Sequence, residues 1–123
     1  MDRLPTADEV RAELQALDQL DRKVVGGLVA LCMAMPQQVR NREWLAERFV
    51  HVATIAHGFA EDGSEATDDD VERVRLYARL RFEPVVRATL RLFVRTGEDL
   101  QTRSGAPDFA AAQAIVTGYL GAT

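Results

Sequence analysis

A chain of 123 residues, 47% hydrophobic and 28% charged, is sized for a single soluble domain, residues 1–123, whose core needs no disulfide or metal staple. A formal net charge of −4 and a sequence pI of about 5.1 exclude nucleic acid and anionic membrane as default partners. One cysteine, Cys32, excludes a disulfide framework and a cysteine-built metal site, and it points to a reducing compartment, the cytoplasm.

Thr6-Ala7-Asp8-Glu9 reads as a capping box, because Thr6 can cap a helix and Glu9 can reach back to it. From there Val10, Leu14, Leu17, Leu20, Val24, Leu28, Leu31 and Met35 recur at spacings of three and four, which predicts a helix from about Ala7 to Met35, stopped by Pro36. Gly26-Gly27 leaves two forms open, an unbroken rod about 43 Å long or a kink at the glycine pair. Val24–Met35 is twelve residues with no charge, amide or hydroxyl, so this half must be covered on most sides. It falls short of the roughly 20 apolar residues of a membrane span. Gly26, Gly27, Met33 and Met35 form a candidate interface with a second copy or a partner protein, since the glycines permit close approach.

Asn41 caps the next predicted helix, which runs to about Ala60 and faces inward with Leu45, Phe49, Val52, Ala56 and Phe59. An acidic turn follows over Glu61–Ala66. Thr67 and three aspartates then open a third helix, with the carboxylates at the positive end of its dipole. Pro84 predicts a kink or a break after Phe82, and Thr96-Gly97 predicts a stop. Glu98–Gly105 is polar and partly helical in expectation. Pro107-Asp108 opens the last helix, with Asp108 as cap and Phe109, Ala112, Val116 and Tyr119 as its face. No segment alternates with period two. The fold class is therefore all-α, a compact bundle of four to five helices round the apolar one.

Fourteen of the fifteen basic residues are arginine, and seven fall between Arg73 and Arg95. Arg87, Arg91 and Arg95 share one helix face, as do Arg75 and Arg79. The plain reading is a solvated face offset by the acidic residues before it. The functional one is a surface for an anion, a phosphate backbone or an acidic protein, made of Arg75, Arg79, Arg87, Arg91 and Arg95. Specific DNA reading is disfavoured, because no aromatics interleave with these arginines.

Catalytic chemistry finds little footing. His51 and His57 lie six apart and cannot chelate as a pair four apart would, and no nucleophile has a visible base. Glu43 and Glu47 on one helix, with Asp69 and Glu72 on the next, would be the carboxylates of a Mg-dependent all-α nucleotide phosphohydrolase. Their spacing departs from the Glu-x-x-Glu of that family. No cofactor or resident metal is expected.

Phe59-Ala60-Glu61-Asp62-Gly63, followed by Thr67-Asp68-Asp69-Asp70-Val71 and a basic-apolar helix, resembles small phage tail assembly chaperones over residues 40–95. Ala66 stands where those proteins often carry an aromatic. The resemblance implies a non-catalytic helical protein that holds another protein during assembly. The expected function is protein–protein interaction or assembly, with a protein partner or a homo-oligomer. Anion or nucleic-acid binding through the arginine face is the alternative, and the phosphohydrolase comes third.

Overall fold

The structure is a computed structural model that describes residues 4–60, 65–104 and 109–121. Those residues form five α-helices and no strand: α1 (Ala7–Gln15), α2 (Gln19–Ala34), α3 (Arg42–Ala56), α4 (Asp68–Ser104) and α5 (Phe109–Leu120). A single 3-10 turn at Pro36–Gln38 links α2 to α3.

The predicted first helix is two helices. α1 starts at the expected capping box, in which Glu9 N–H donates to Thr6 Oγ1 at 3.1 Å and Thr6 N–H donates to Glu9 Oε1 at 3.0 Å. The chain then breaks at Ala16–Asp18 rather than at the glycines. Asp18 takes an extended backbone and accepts the N–H of Asp21 at 2.8 Å, which makes a second N-cap. Helical spacing of the leucines persists across this break because Leu17 still points inward, 8% exposed.

α2 passes unbroken through Gly26-Gly27 and forms the centre of the bundle. Val24, Val25, Leu28, Val29 and Cys32 are each 0% exposed, and α3, α4 and α5 pack round them. Burying each of the larger of these side chains is worth about 1.5–3 kcal/mol. Pro36 ends the run, as expected.

α3 begins at the Asn41 cap, whose side chain accepts the N–H of Trp44 at 3.1 Å. It buries Leu45, Phe49, Val52 and Ala53. It stops at Ala56 rather than Ala60, because the chain turns through Gly58 at φ +92°, a conformation that suits glycine. Ile55 faces outward, 48% exposed.

α4 is one helix of 37 residues, about 55 Å long. Its start is the expected one: Thr67 accepts from Asp70 N–H at 3.2 Å, and Asp70 Oδ2 accepts from Thr67 N–H at 3.0 Å. Pro84 does not break it. Proline removes the hydrogen bond to the carbonyl of Leu80. Leu80 is 64% exposed, so that carbonyl lies on the wet side of the helix. Val74, Val85, Val86, Ala88 and Leu92 hold the opposite side to the core across the proline. Nor does Gly97 stop it. The turns beyond are pinned by Asp99, which accepts from Arg95 Nε at 3.0 Å and from Tyr119 Oη at 2.7 Å.

α5 buries Ala112, Val116 and Tyr119, whereas Phe109 is 56% exposed and leaves the expected face. The expected cap Asp108, and Glu61–Ser64 of the acidic turn, lie outside the described residues.

Candidate functional site

Two polar clusters lock the bundle, and neither is apparent from hydrophobic patterning. The first lies between α2 and α4. Asp21 is 0% exposed; its carboxylate accepts from Tyr77 Oη at 2.7 Å and from the Arg81 guanidinium at 2.7 Å. Burial, then the hydrogen bond to Asp21, pushes the Tyr77 phenol well above its ordinary value, and that same carboxylate raises Arg81. The second cluster ties α4 to α5 and to the start of the chain. Arg95 pairs with Asp99 at 2.8 Å and donates to the Pro5 carbonyl at 3.0 Å. Tyr119 donates to Asp99, and Arg11 lies 5.3 Å over its ring. Burial and the Asp99 bond raise the Tyr119 phenol too. Signals for both were present in the chain: Tyr77 and Arg81 are four apart on one helix, and Asp21 precedes the apolar run by three residues.

These contacts redistribute the arginine face. Arg91 lies against α1, 3.3 Å from Glu13 and 3.9 Å from Glu9, with its side chain 37% exposed. Arg95 is internal, and Arg75 pairs with Glu72 at 3.0 Å. Arg79 and Arg87 are exposed, with no carboxylate partner among the described residues. The five arginines therefore do not form one open surface. Glu9 and Glu13, four apart and so on one face of α1, were the available signal for an arginine packed against that face, and the four-residue spacing of Arg95 and Asp99 was the signal for the other pair.

The glycine pair is likewise occupied within the chain. A Cβ on Gly27 would lie 2.7 Å from Val52 Cγ1 of α3, and one on Gly26 would lie 3.2 Å from Leu120 Cδ1 of α5. Met33 is partly buried against the core and Met35 is 38% exposed. Close approach at Gly26 and Gly27 serves the chain's own helices. Cys32, beside them, has its thiol pushed up to about 11 by burial.

Open surface lies along α3. Between α3 and the first turns of α4 runs a groove of about 700 Å³. Val50, Phe59, Val71 and Val74 line it with apolar surface; Glu47, Arg48, His51 and Arg75 form its rim. Val50 is 42% exposed there. Glu47 and Arg48 approach to 3.7 Å at this rim, an exposed pair of small energetic weight. On the other side of α3 a second groove of about 540 Å³ is bordered by Lys23, Gly27, Leu31 and Ile55. His51 borders both grooves.

His57 is a packing residue. Its Nδ1 donates to the Ala53 carbonyl at 2.6 Å, and its ring stands edge-on to Tyr77 with centroids 5.1 Å apart. Among the described residues no three His, Cys, Asp or Glu side chains come together to hold a metal ion, so Glu43, Glu47, Asp69 and Glu72 do not assemble the carboxylate quartet that the third reading would need. No helix of the described residues is long and apolar enough to cross a membrane.

Comparison with protein-family profiles, with curated proteins and with solved structures gives no match. The fold and its grooves therefore carry the functional reading.

Proposed function

We propose that this chain is a non-enzymatic helical interaction protein of the cytoplasm, adaptor- or chaperone-like, that grips an apolar segment of a protein partner in the groove between α3 and α4. The observation that carries the reading is the apolar lining, in which Val50 is 42% exposed, Phe59 and Val71 are half-buried and Val74 forms the buried floor, with Glu47, Arg48, His51 and Arg75 around it. A lining of this kind buries apolar side chains of a partner, while the rim sets orientation. Residues 40–95, whose resemblance to small phage tail assembly chaperones suggests the same role, span both walls of the groove.

Selection from a displayed library of random peptides tests the proposal. The expected winners carry apolar anchors and bind the wild-type chain about tenfold or more tightly than Val50→Glu. Val50 is already part-exposed, so that variant keeps its fold. Winners that bind both chains equally would contradict the reading.

Anion or nucleic-acid binding is the second reading. It rests on Arg75, Arg79 and Arg87, which stay exposed, and it loses Arg91 and Arg95 to their internal partners.

A further inference from the structure

α4 shows solvent a second surface, on the side away from α2. Leu76, Leu80, Glu83, Arg87, Leu90 and Val94 follow one another at spacings of four, three, four, three and four. That rhythm averages one turn of a straight helix per step, so the six side chains form one stripe along five turns. Leu76, Leu80 and Val94 are 47%, 64% and 40% exposed, and Leu90 is half-buried at the stripe's edge. Pro84 lies off the stripe. Two leucines, a charged pair, then leucine and valine is a poor pattern for water and a good one for a helix seam.

The order of the residues says what fits the seam. Turn a second copy end for end about Val85 and Leu76 comes opposite Val94, Leu80 opposite Leu90, and Glu83 opposite Arg87. Each contact then occurs twice, as a two-fold interface requires. Within one chain Glu83 reaches Arg42 of α3, whereas Arg87 pairs with no carboxylate among the described residues. The facing copy supplies the missing carboxylate from Glu83. We infer that the protein forms an antiparallel homodimer through the outer face of α4, with two Glu83–Arg87 pairs at its centre and leucine–valine and leucine–leucine contacts on either side. A parallel pairing would set Glu83 against Glu83 and Arg87 against Arg87, which like-charge repulsion disfavours. This surface is separate from the α3–α4 groove and does not depend on what the groove binds.

Sedimentation equilibrium of the full chain decides it, with far-UV circular dichroism confirming that each variant is folded. The wild-type mass should rise with concentration from 13.6 kDa towards twice that value. Arg87→Glu sets carboxylates against each other, and Leu80→Glu places a charge in the apolar part of the seam; each should weaken association about tenfold or more. Glu83→Arg should weaken it too, and the double variant Glu83→Arg/Arg87→Glu should recover it, because the facing pairs are restored in reverse. Val50→Glu should leave the mass unchanged. A monomer at every concentration up to about 1 mM, or a dimer indifferent to Arg87→Glu and Leu80→Glu, would overturn the inference.

Discussion

Asp21 and Arg81 are 60 residues apart in the chain and meet at 2.7 Å, a carboxylate on α2 and a guanidinium on α4. Their settings differ. The Asp21 side chain is 0% exposed, whereas that of Arg81 is 39% exposed. Removing Arg81 strands a buried carboxylate; neutralising Asp21 leaves a guanidinium that can turn to water. Arg81→Ala should therefore cost about 3–5 kcal/mol, and Asp21→Asn, which keeps an acceptor for Tyr77, only about 1–2 kcal/mol. Urea denaturation of both variants measures the difference as a shift in midpoint at constant slope. Equal costs would mean that the pair is not desolvated on the Asp21 side.

Two glycines should respond in opposite senses to alanine. Gly27→Ala puts a methyl 2.7 Å from Val52 Cγ1 and should destabilise by about 1–3 kcal/mol. Val52→Ala in the same chain should recover part of that loss. Gly97 is in the interior of α4, with nothing within 4 Å of a built Cβ. Gly97→Ala should stabilise by about 0.5–1 kcal/mol, since alanine suits a helix interior and narrows the unfolded ensemble. Thermal melts of the three variants check both signs.

The phenols set an alkaline limit on stability. The Tyr77 pKa is raised in the folded state above its ordinary value of 10.0, by burial first and by the hydrogen bond to Asp21 next. A raised pKa means that the protonated phenol stabilises the fold fully below about pH 10, and that this contribution is lost as pH climbs above it. Tyr119 acts in the same direction through Asp99. Melting temperature should fall as pH rises above about 10, and Tyr77→Phe should make that fall shallower. A wild-type chain whose stability is flat over this window would contradict the buried Tyr77–Asp21 bond.

Local chemistry made much of the fold legible. Thr6 and Asn41 cap where their side chains suggest, Thr67 opens α4 with Asp70, and Pro36 ends α2. The all-apolar run Val24–Met35 supplies the core of α2, since Val24, Val25, Leu28, Val29 and Cys32 are each 0% exposed, and it meets water only towards its end, where Met35 is 38% exposed. Breaks were harder to place, since they depend on tertiary support. Asp18 caps a new helix inside an uninterrupted leucine rhythm, while Pro84 and Gly97 sit in a helix held by Val85, Leu92 and Asp99 from outside the local sequence. The groove was illegible for the same reason. Val50 and Val71 belong to different helices, and only their relative placement leaves space between them. A list of arginines likewise says nothing of Glu13 waiting opposite Arg91.

Backbone amide hydrogen exchange, with and without a peptide selected on the wild-type chain, locates the binding surface residue by residue. The account predicts added protection in α3 around Val50 and in the first turns of α4 around Val71 and Val74, and none when Val50→Glu is used. Protection confined to Arg79, Arg87 and the outer face of α4, or spread with no regard to the groove, would contradict it.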